Sequence, residues 1–199
     1  VTSHPNEAIL VAKAQRGDDE AFAVLVELYQ RPVYNLCYRM LGNANDAEDA
    51  AQESFIRAYK SIKRFDLQRK FSSWLLTIAS NYCIDQHRRR KLPSFSIEAL
   101  PVPDIEDEKP GIETGMVMGE HQDQIREMLG ELKEADRAAV VLRYWYDYSY
   151  EEIAESLDMT VSAIKSRLHR ARRDMALAWM EAQQDNPAFE RMQHESAAY

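Results

Sequence analysis

Apolar residues recur along this chain in steps of three and four, and no alternating pattern runs long enough to compete, so the periodicity predicts an all-α protein. The clearest stripe is Val161, Ile164, Leu168, Ala171, Met175 and Ala178, which falls on one side of a single helix. Just before it, 150–157 reads as a short helix carrying Ile153, Ala154 and Leu157 on one side, with Ala154 small enough to admit a second helix closely. Between the two lies Asp158-Met159-Thr160. Aspartate tolerates the left-handed conformation of a tight turn, and Thr160 can cap the helix that follows. Upstream, Ile125, Leu129, Leu132, Val140, Val141 and Tyr144 predict the core side of a supporting helix over 122–144, and Tyr144-Trp145-Tyr146 reads as packing rather than base stacking. In the first half, Ala51, Phe55, Ala58, Ile62 and Phe65 predict a helix over 49–65, and Leu75, Ile78, Ala79, Tyr82 and Cys83 predict another over 72–90.

Glycine and proline locate a seam between these halves. Four of the seven prolines and three of the six glycines fall between 93 and 119, a stretch without sustained apolar period. The expected organisation is two small helical domains, 5–92 and 120–182, joined by a flexible acidic linker over 93–119 and followed by a disordered tail over 183–199. No unbroken apolar run approaches the roughly 18 residues of a bilayer span. The first residues lack the basic-then-apolar pattern of a secretory signal. Cys37 and Cys83 stand alone, with no Cys-x-x-Cys, so they read as small core residues. A cytoplasmic protein is expected.

Charge changes the picture. The 199 residues hold 25 Lys and Arg against 33 Asp and Glu, a net −8 that argues against an autonomous nucleic-acid binder. Locally the balance reverses. Residues 57–70 hold six bases and one acid, 88–91 are Arg-Arg-Arg-Lys, and 165–173 hold five bases and no acid. By contrast, 98–113 holds six acids and one lysine, and 43–53 holds four acids and no base. Basic stripes set in an acidic chain suit DNA contact that depends on a partner; solvated helix faces would give the same counts.

The faces opposite the apolar stripes carry the candidate chemistry. At about 100° per residue, Ser162, Ser166, His169 and Arg173 point away from the 161–178 stripe, flanked by Lys165 and Arg170. A short helix, a tight turn and a capped helix with this outer face form a helix-turn-helix, able to read bases and grip phosphates in a major groove. An αα-hairpin with a basic solvent face has the same pattern. On the 49–65 helix the non-core face shows Asp49, Gln52, Glu53, Ile56, Lys60 and Lys63, preceded by Asn45-Asp46-Ala47-Glu48. An apolar Ile56 among charges suits a protein-docking surface or is a scattered surface residue. On the 72–90 helix, Trp74, Thr77, Asn81, Asp85 and Arg88 fall opposite the core and run into the Arg88-to-Lys91 cluster. Stacking, amide and guanidinium groups in a line suit unpaired bases and backbone; Trp74 could equally be a second core contact. The five histidines are dispersed, and no His-Glu-x-x-His, phosphate loop or carboxylate-rich metal pattern occurs, so no enzyme, cofactor or metal is expected.

These residues carry a family resemblance. Cys37-Tyr-Arg-Met-Leu-Gly-Asn, Asp46-Ala-Glu-Asp-Ala-Ala-Gln-Glu-Ser-Phe-Ile-Arg-Ala-Tyr and Phe71-Ser-Ser-Trp-Leu-Leu-Thr-Ile-Ala-Ser-Asn resemble region 2 of the sigma-70 superfamily. Tyr150-Glu-Glu-Ile-Ala and Ile164-Lys-Ser-Arg-Leu-His-Arg-Ala-Arg resemble its region 4, with Asp158 where helix-turn-helix motifs often carry glycine. With these two domains and a short linker, the chain resembles a bacterial extracytoplasmic-function (ECF) sigma factor of the stress-response type. The resemblance implies that 46–60, including Asp46, Glu48, Asp49, Gln52, Glu53, Ile56 and Lys60, docks on the clamp of the largest RNA polymerase subunit, and that the flap of the second-largest subunit is also a partner. It implies that the loop Asp66–Ser73, with Asp66 and Lys70, and the face of Trp74, Thr77, Asn81, Asp85, Arg88 and Arg89 capture a flipped base of the −10 promoter element and help melt DNA. It implies that Ser162, Lys165, Ser166, His169, Arg170, Arg172 and Arg173 serve the −35 element, and that an anti-sigma factor regulates the chain. The alternatives are a free-standing helix-turn-helix regulator, which leaves the first domain's basic helices unused, and an interaction scaffold without DNA contact.

Overall fold

The computed structural model describes residues 6–91 and 116–184, with side chains over 6–90 and 123–182. Among the described residues there are eight α-helices, one 3-10 turn and no strand. The first domain holds α1 (Glu7–Gln15), α2 (Asp19–Leu41), α3 (Ala44–Ser61), the 3-10 turn Ile62–Arg64 and α4 (Phe71–Lys91). The second holds α5 (Met116–Glu131), α6 (Glu134–Trp145), α7 (Tyr150–Ser156) and α8 (Val161–Gln184). Most of the expected linker and tail lies outside the described residues. The last residues of that linker, 116–119, belong to α5, and 183–184 belong to α8.

In the first domain, α2 is the central element, packed by α1, α3 and α4. Leu25, Tyr29, Val33, Leu36 and Met40 are buried along it, facing Ala47, Ala50 and Ala58 of α3 and Leu75, Leu76, Ala79 and Cys83 of α4. Alanines on α3 let two helices approach closely. The helix ends are closed by local chemistry. Asp18 caps α2 by accepting from the Ala21 N–H at 3.0 Å, and Gly42, at φ +86°, ends it in the left-handed conformation that glycine adopts without strain. Asn43 caps α3 by accepting from the Asp46 N–H at 2.8 Å, so α3 starts one and a half turns before the expected position. It also stops sooner. Ile62–Arg64 tightens to a 3-10 turn and Phe65 is extended, while the Gln15 amide donates to the Ile62 and Phe65 carbonyls at 3.0 and 2.6 Å. Cys37 and Cys83 are buried free thiols; contact with Cys37, together with burial, pushes the Cys83 thiol up.

The support expected as one helix over 122–144 is two helices. Lys133 is extended and starts α6. The buried Arg137 guanidinium donates to the Gly130 carbonyl at 2.6 Å and the Leu132 carbonyl at 3.2 Å, satisfying carbonyls that the break at the end of α5 frees. Tyr144 is 52% exposed rather than core, whereas Tyr146 and Tyr148 are buried. Leu129, Val140, Val141, Ile153, Ile164, Leu168 and Ala171 make one core.

The two domains pack on each other. Helices α5 and α6 contact α2, and α6 and α7 contact α4. Tyr146 donates to the Pro32 carbonyl at 2.6 Å, Arg126 to the Tyr38 hydroxyl at 2.8 Å, and Arg137 to the Met40 carbonyl at the end of α2. The Arg39 guanidinium lies 5.1 Å from the Trp145 ring centre.

Candidate nucleic-acid and protein interfaces

The helix-turn-helix is built by capping. Ser149 and Glu152 form a capping box at α7, with Ser149 Oγ accepting from the Glu152 N–H at 3.1 Å and the Glu152 carboxylate accepting from the Ser149 N–H at 2.8 Å. The turn closes at Asp158, whose φ is +52°, with the Met159 N–H donating to the Ala154 carbonyl at 2.9 Å. Thr160 Oγ1 accepts from the Ala163 N–H at 3.2 Å and starts α8. Aspartate thus does here what glycine often does, and the threonine cap stands where it was expected.

On α8, Ile164, Leu168 and Ala171 are buried, while Ser162, Lys165, Ser166, His169, Arg170, Arg172 and Arg173 are all exposed. The charges on this face are held in different ways. Lys165 Nζ lies 5.7 Å from the Tyr150 ring centre, and Arg173 pairs with its neighbour Asp174 at 3.1 Å. Arg170 borders a hollow of about 390 Å³ also lined by Glu131, Asp136, Arg167 and Asp174. Arg167, between the core and outer faces, is committed to Asp136 of α6 at 2.6 Å.

The α3 face has a more mixed outcome. Glu48, Asp49, Gln52, Ile56 and Lys60 are exposed, Ile56 by 46%. Glu53 pairs with Arg57 at 2.9 Å. Asp46 is tied down, because its carboxylate takes the Arg90 guanidinium at the far end of α4 and the Asn43 amide. The Arg90 bond holds the Asp46 carboxyl below the usual carboxylate range. Phe55, expected in the core, is half-buried and lines a groove of about 530 Å³ between α2 and α3, with Val26, Tyr34, Ala51 and Gln52 among its walls. Tyr59, 47% exposed, donates to Asp19 at 2.6 Å. The α2 wall escaped the sequence reading because periodicity along α3 says nothing about its neighbour.

The α4 face departs most from expectation. Asp66, Lys70, Asp85, Arg88 and Arg89 are exposed, and Asp66 shapes its loop by accepting from the Gln68 N–H at 2.9 Å. Trp74, however, is half-buried in an aromatic cluster, its ring centre 4.9 Å from Phe65 and 5.6 Å from Phe71. Thr77 and Asn81 are in contact with the second domain. Thr77 Oγ1 lies 2.8 Å from Ser156 Oγ, and the Asn81 amide donates to the Ser156 carbonyl at 3.2 Å. The expected open line is therefore interrupted: Thr77 is half-buried and both residues are bonded to the end of α7, although Asn81 itself stays exposed. Arg69, not singled out from the sequence, pairs with Glu155 at 2.6 Å, and Tyr148 donates to the Ser73 carbonyl at 3.0 Å.

The Sigma-70 region 2 family model matches residues 25–92, and the Sigma-70, region 4 model matches 122–175. The chain is 39% identical over 170 residues to the ECF RNA polymerase sigma factor SigW of Bacillus subtilis, covering 81% of this chain and 90% of that protein. It is 34% identical over 172 residues to the RNA polymerase sigma-H factor of Pseudomonas aeruginosa, covering 82% and 88%. In fold it is similar to CnrH, solved with the cytosolic domain of CnrY, at a TM-score of 0.65 and 24% identity over 90% of this chain and 99% of that one. Two region models in order, and relatives matched over nearly their whole length, make this chain a member of the extracytoplasmic-function sigma factors of the sigma-70 superfamily.

Proposed function

We propose that this sigma factor, a transcription-initiation factor rather than an enzyme, divides promoter recognition between two domains, 5–92 and 120–182, each with the surface its helices expose. The outer face of α8 reads the −35 element: Ser162, Lys165, Ser166 and His169 lie toward the bases with Arg170, and Arg172 and Arg173 hold phosphates. The α4 face, from Asp66 and Lys70 through Trp74, Thr77 and Asn81 to Asp85, Arg88 and Arg89, takes an unpaired base of the −10 element and the strand beside it. Glu48, Asp49, Gln52, Glu53, Ile56 and Lys60 dock on the clamp of core RNA polymerase. Asp46 acts there through Arg90, by fixing the start of α3 against the end of α4. The flap of the second-largest subunit is the expected seat of the second domain. An anti-sigma factor is the expected regulator, and the cytoplasm, where polymerase and DNA meet, is the expected place of action. No described helix is long and apolar enough to cross a membrane.

The observation that carries this reading is the separation of core and outer faces on α8, where every expected base- or phosphate-contacting side chain is exposed and every stripe residue of the first three turns is buried or half-buried. An acidic chain with a basic reading helix binds promoters weakly alone and well once core polymerase adds its own contacts. The test is initiation at a defined promoter by the purified chain with and without core polymerase. Transcription only with both is expected; specific promoter binding by the chain alone, unchanged by polymerase, would support a free-standing regulator instead. Ile56→Asp and Glu53→Lys are expected to weaken core-polymerase binding with little change in helicity. Wild-type affinity in both would remove the docking assignment.

A further inference from the structure

Of the five bases between 165 and 173, Lys165, Arg170, Arg172 and Arg173 are exposed and Arg167 is half-buried. At about 100° per residue, Arg167 falls on a flank of α8, between the Ile164–Leu168–Ala171 stripe and the outer face. Its guanidinium turns inward onto α6. Nη1 donates to the Asp136 carboxylate at 2.6 Å, and the two side chains are 28% and 13% exposed. Asp136 stands in the first turn of α6, where the free N–H groups of the helix favour a negative charge. The next residue, Arg137, turns instead to the Gly130 and Leu132 carbonyls, so the cation bonded to Asp136 is Arg167.

We infer, given the proposed −35 role of α8, that Asp136 sets how tightly the second domain holds DNA, by keeping Arg167 on α6 and withholding its charge from the phosphate backbone. A major groove is about 12 Å wide and a helix with its side chains about 10–12 Å across, so the flanks of a reading helix lie along the phosphate walls. An arginine free to extend from a flank grips a phosphate and adds affinity that carries no sequence information. Arg167 is not free to extend. Leaving Asp136 would strand a carboxylate that is mostly out of water, and an uncompensated buried charge is costly. The rest of that flank acts in the same direction. The hollow beside Arg167 is lined by Glu131, Asp136 and Asp174 against Lys133, Arg167 and Arg170, so an approaching phosphate meets a balanced surface there. Across the outer face, by contrast, 165–173 holds no acid. With four available cations on α8 rather than five, the domain holds every duplex less firmly, and promoter binding leans more on the contacts that core polymerase adds.

The test is the affinity of holoenzyme, assembled with the full chain, for one promoter and its −35 variants at several salt concentrations. Asp136→Asn keeps the size of the side chain and releases Arg167. It should tighten every promoter alike, leave the order of −35 preference unchanged and steepen the salt slope by about one. The loss of affinity between about 50 and 200 mM salt then grows roughly threefold. Asp136→Asn with Arg167→Gln leaves a neutral pair able to keep a hydrogen bond, and should return affinity and slope to wild type. The double variant also decides the case if circular dichroism shows the single one unfolded. A wild-type slope in it means that Arg167 makes no phosphate contact in the native chain, as inferred. A slope lower by about one means that Arg167 already grips DNA, and overturns the inference. A changed order of −35 preference in Asp136→Asn means that the pair positions the reading residues, and overturns it as well. Wild-type affinity and slope in a folded Asp136→Asn overturn it too, and leave the −35 reading standing if Lys165→Ala and Arg170→Ala still shift the preferred sequence. If those two variants shift nothing either, the −35 reading falls with the inference.

Discussion

The two proposed reading helices differ in who owns the outer face. On α8 the exposed residues from Ser162 to Arg173 face away from their own domain, and among the described residues no side chain of the first domain bonds to them. On α4, Thr77 and Asn81 are bonded to Ser156 of the other domain, and Trp74 leans on Phe65 and Phe71. A face assigned by helical periodicity is thus a statement about one helix and its nearest packing partner. It says which side is outside the local core, and it leaves open whether another part of the chain lies there.

The sharpest way to break this comparison is to disturb the half that is self-contained. Ile164 is fully buried beneath the outer face of α8. Ile164→Asp buries an unpaired carboxylate and should cost the second domain roughly 3–5 kcal/mol, enough to unfold it in isolation from the first. Ser166→Ala, two residues away on the exposed side, should stay within about 0.5 kcal/mol of wild type. Thermal unfolding followed by circular dichroism separates the two. Equal losses would mean the assigned faces of α8 are wrong.

A smaller effect separates reading from holding. Lys165→Ala and Arg170→Ala should change which −35 sequences holoenzyme prefers, by about 1–3 kcal/mol per lost bidentate contact. Arg172→Ala and Arg173→Ala should weaken all promoters alike and reduce the salt slope by about one. Affinity of holoenzyme for a −35 library at two salt concentrations distinguishes them. Uniform shifts in all four would make α8 a helix that holds DNA without reading it.

What was legible in the sequence follows the range of the interactions involved. The α8 stripe, the Asp158 turn and the Thr160 cap depend on residues within a few positions, and all three stand as expected. The early start of α3 was also locally written, since Asn43 is a good capping residue three positions before Asp46. The break between α5 and α6 was not, because the apolar period runs through it and the group that satisfies the freed carbonyls, Arg137, lies beyond the break on α6. The closed seam was least legible. Tyr146 meets Pro32 across 114 residues and Ser156 meets Thr77 across 79, and no periodicity reaches that far. The candidate docking face on α3 lies between these cases: Ile56 is exposed as expected, but the groove beside it is half made by α2.

Helix caps offer a comparison at about 1 kcal/mol. Asn43 and Thr160 each accept one backbone N–H at the start of a helix, at 2.8 and 3.2 Å. Replacing either by alanine should cost about 1 kcal/mol. Asn43→Ala also removes a partner of Asp46, so it should cost somewhat more than Thr160→Ala, measured by denaturant midpoints at constant slope. The reverse order would show that α3 is held by tertiary packing and not by its cap.

The smallest expected effect concerns acid, and it isolates the first domain. Asp46 takes the Arg90 guanidinium and thereby joins the start of α3 to the end of α4. That bond lowers the Asp46 carboxyl from its ordinary value. A group depressed on folding adds stability that is fully present above its unfolded value of about 3.9 and disappears as pH falls through the lower folded value. The sign is therefore loss on acidification. Arg90 is more than half exposed, which screens the pair and places it near the usual range of about 0.2–1 kcal/mol. Asp46→Asn keeps the size and much of the hydrogen bonding but removes the charge. At neutral pH the variant should melt slightly below wild type. As pH drops below the usual carboxylate range towards the lower folded value of Asp46, the gap should narrow, because the wild-type carboxyl then takes up a proton and loses the same attraction. Melting temperatures of both proteins at neutral pH and near pH 3 measure the gap directly. A gap unchanged by acid would mean that Asp46 contributes through its place in the Asn43 turn and not through its charge, and the tie between α3 and α4 would then rest on the buried faces of the two helices and on the Arg57 guanidinium, 4.6 Å from the Tyr82 ring centre.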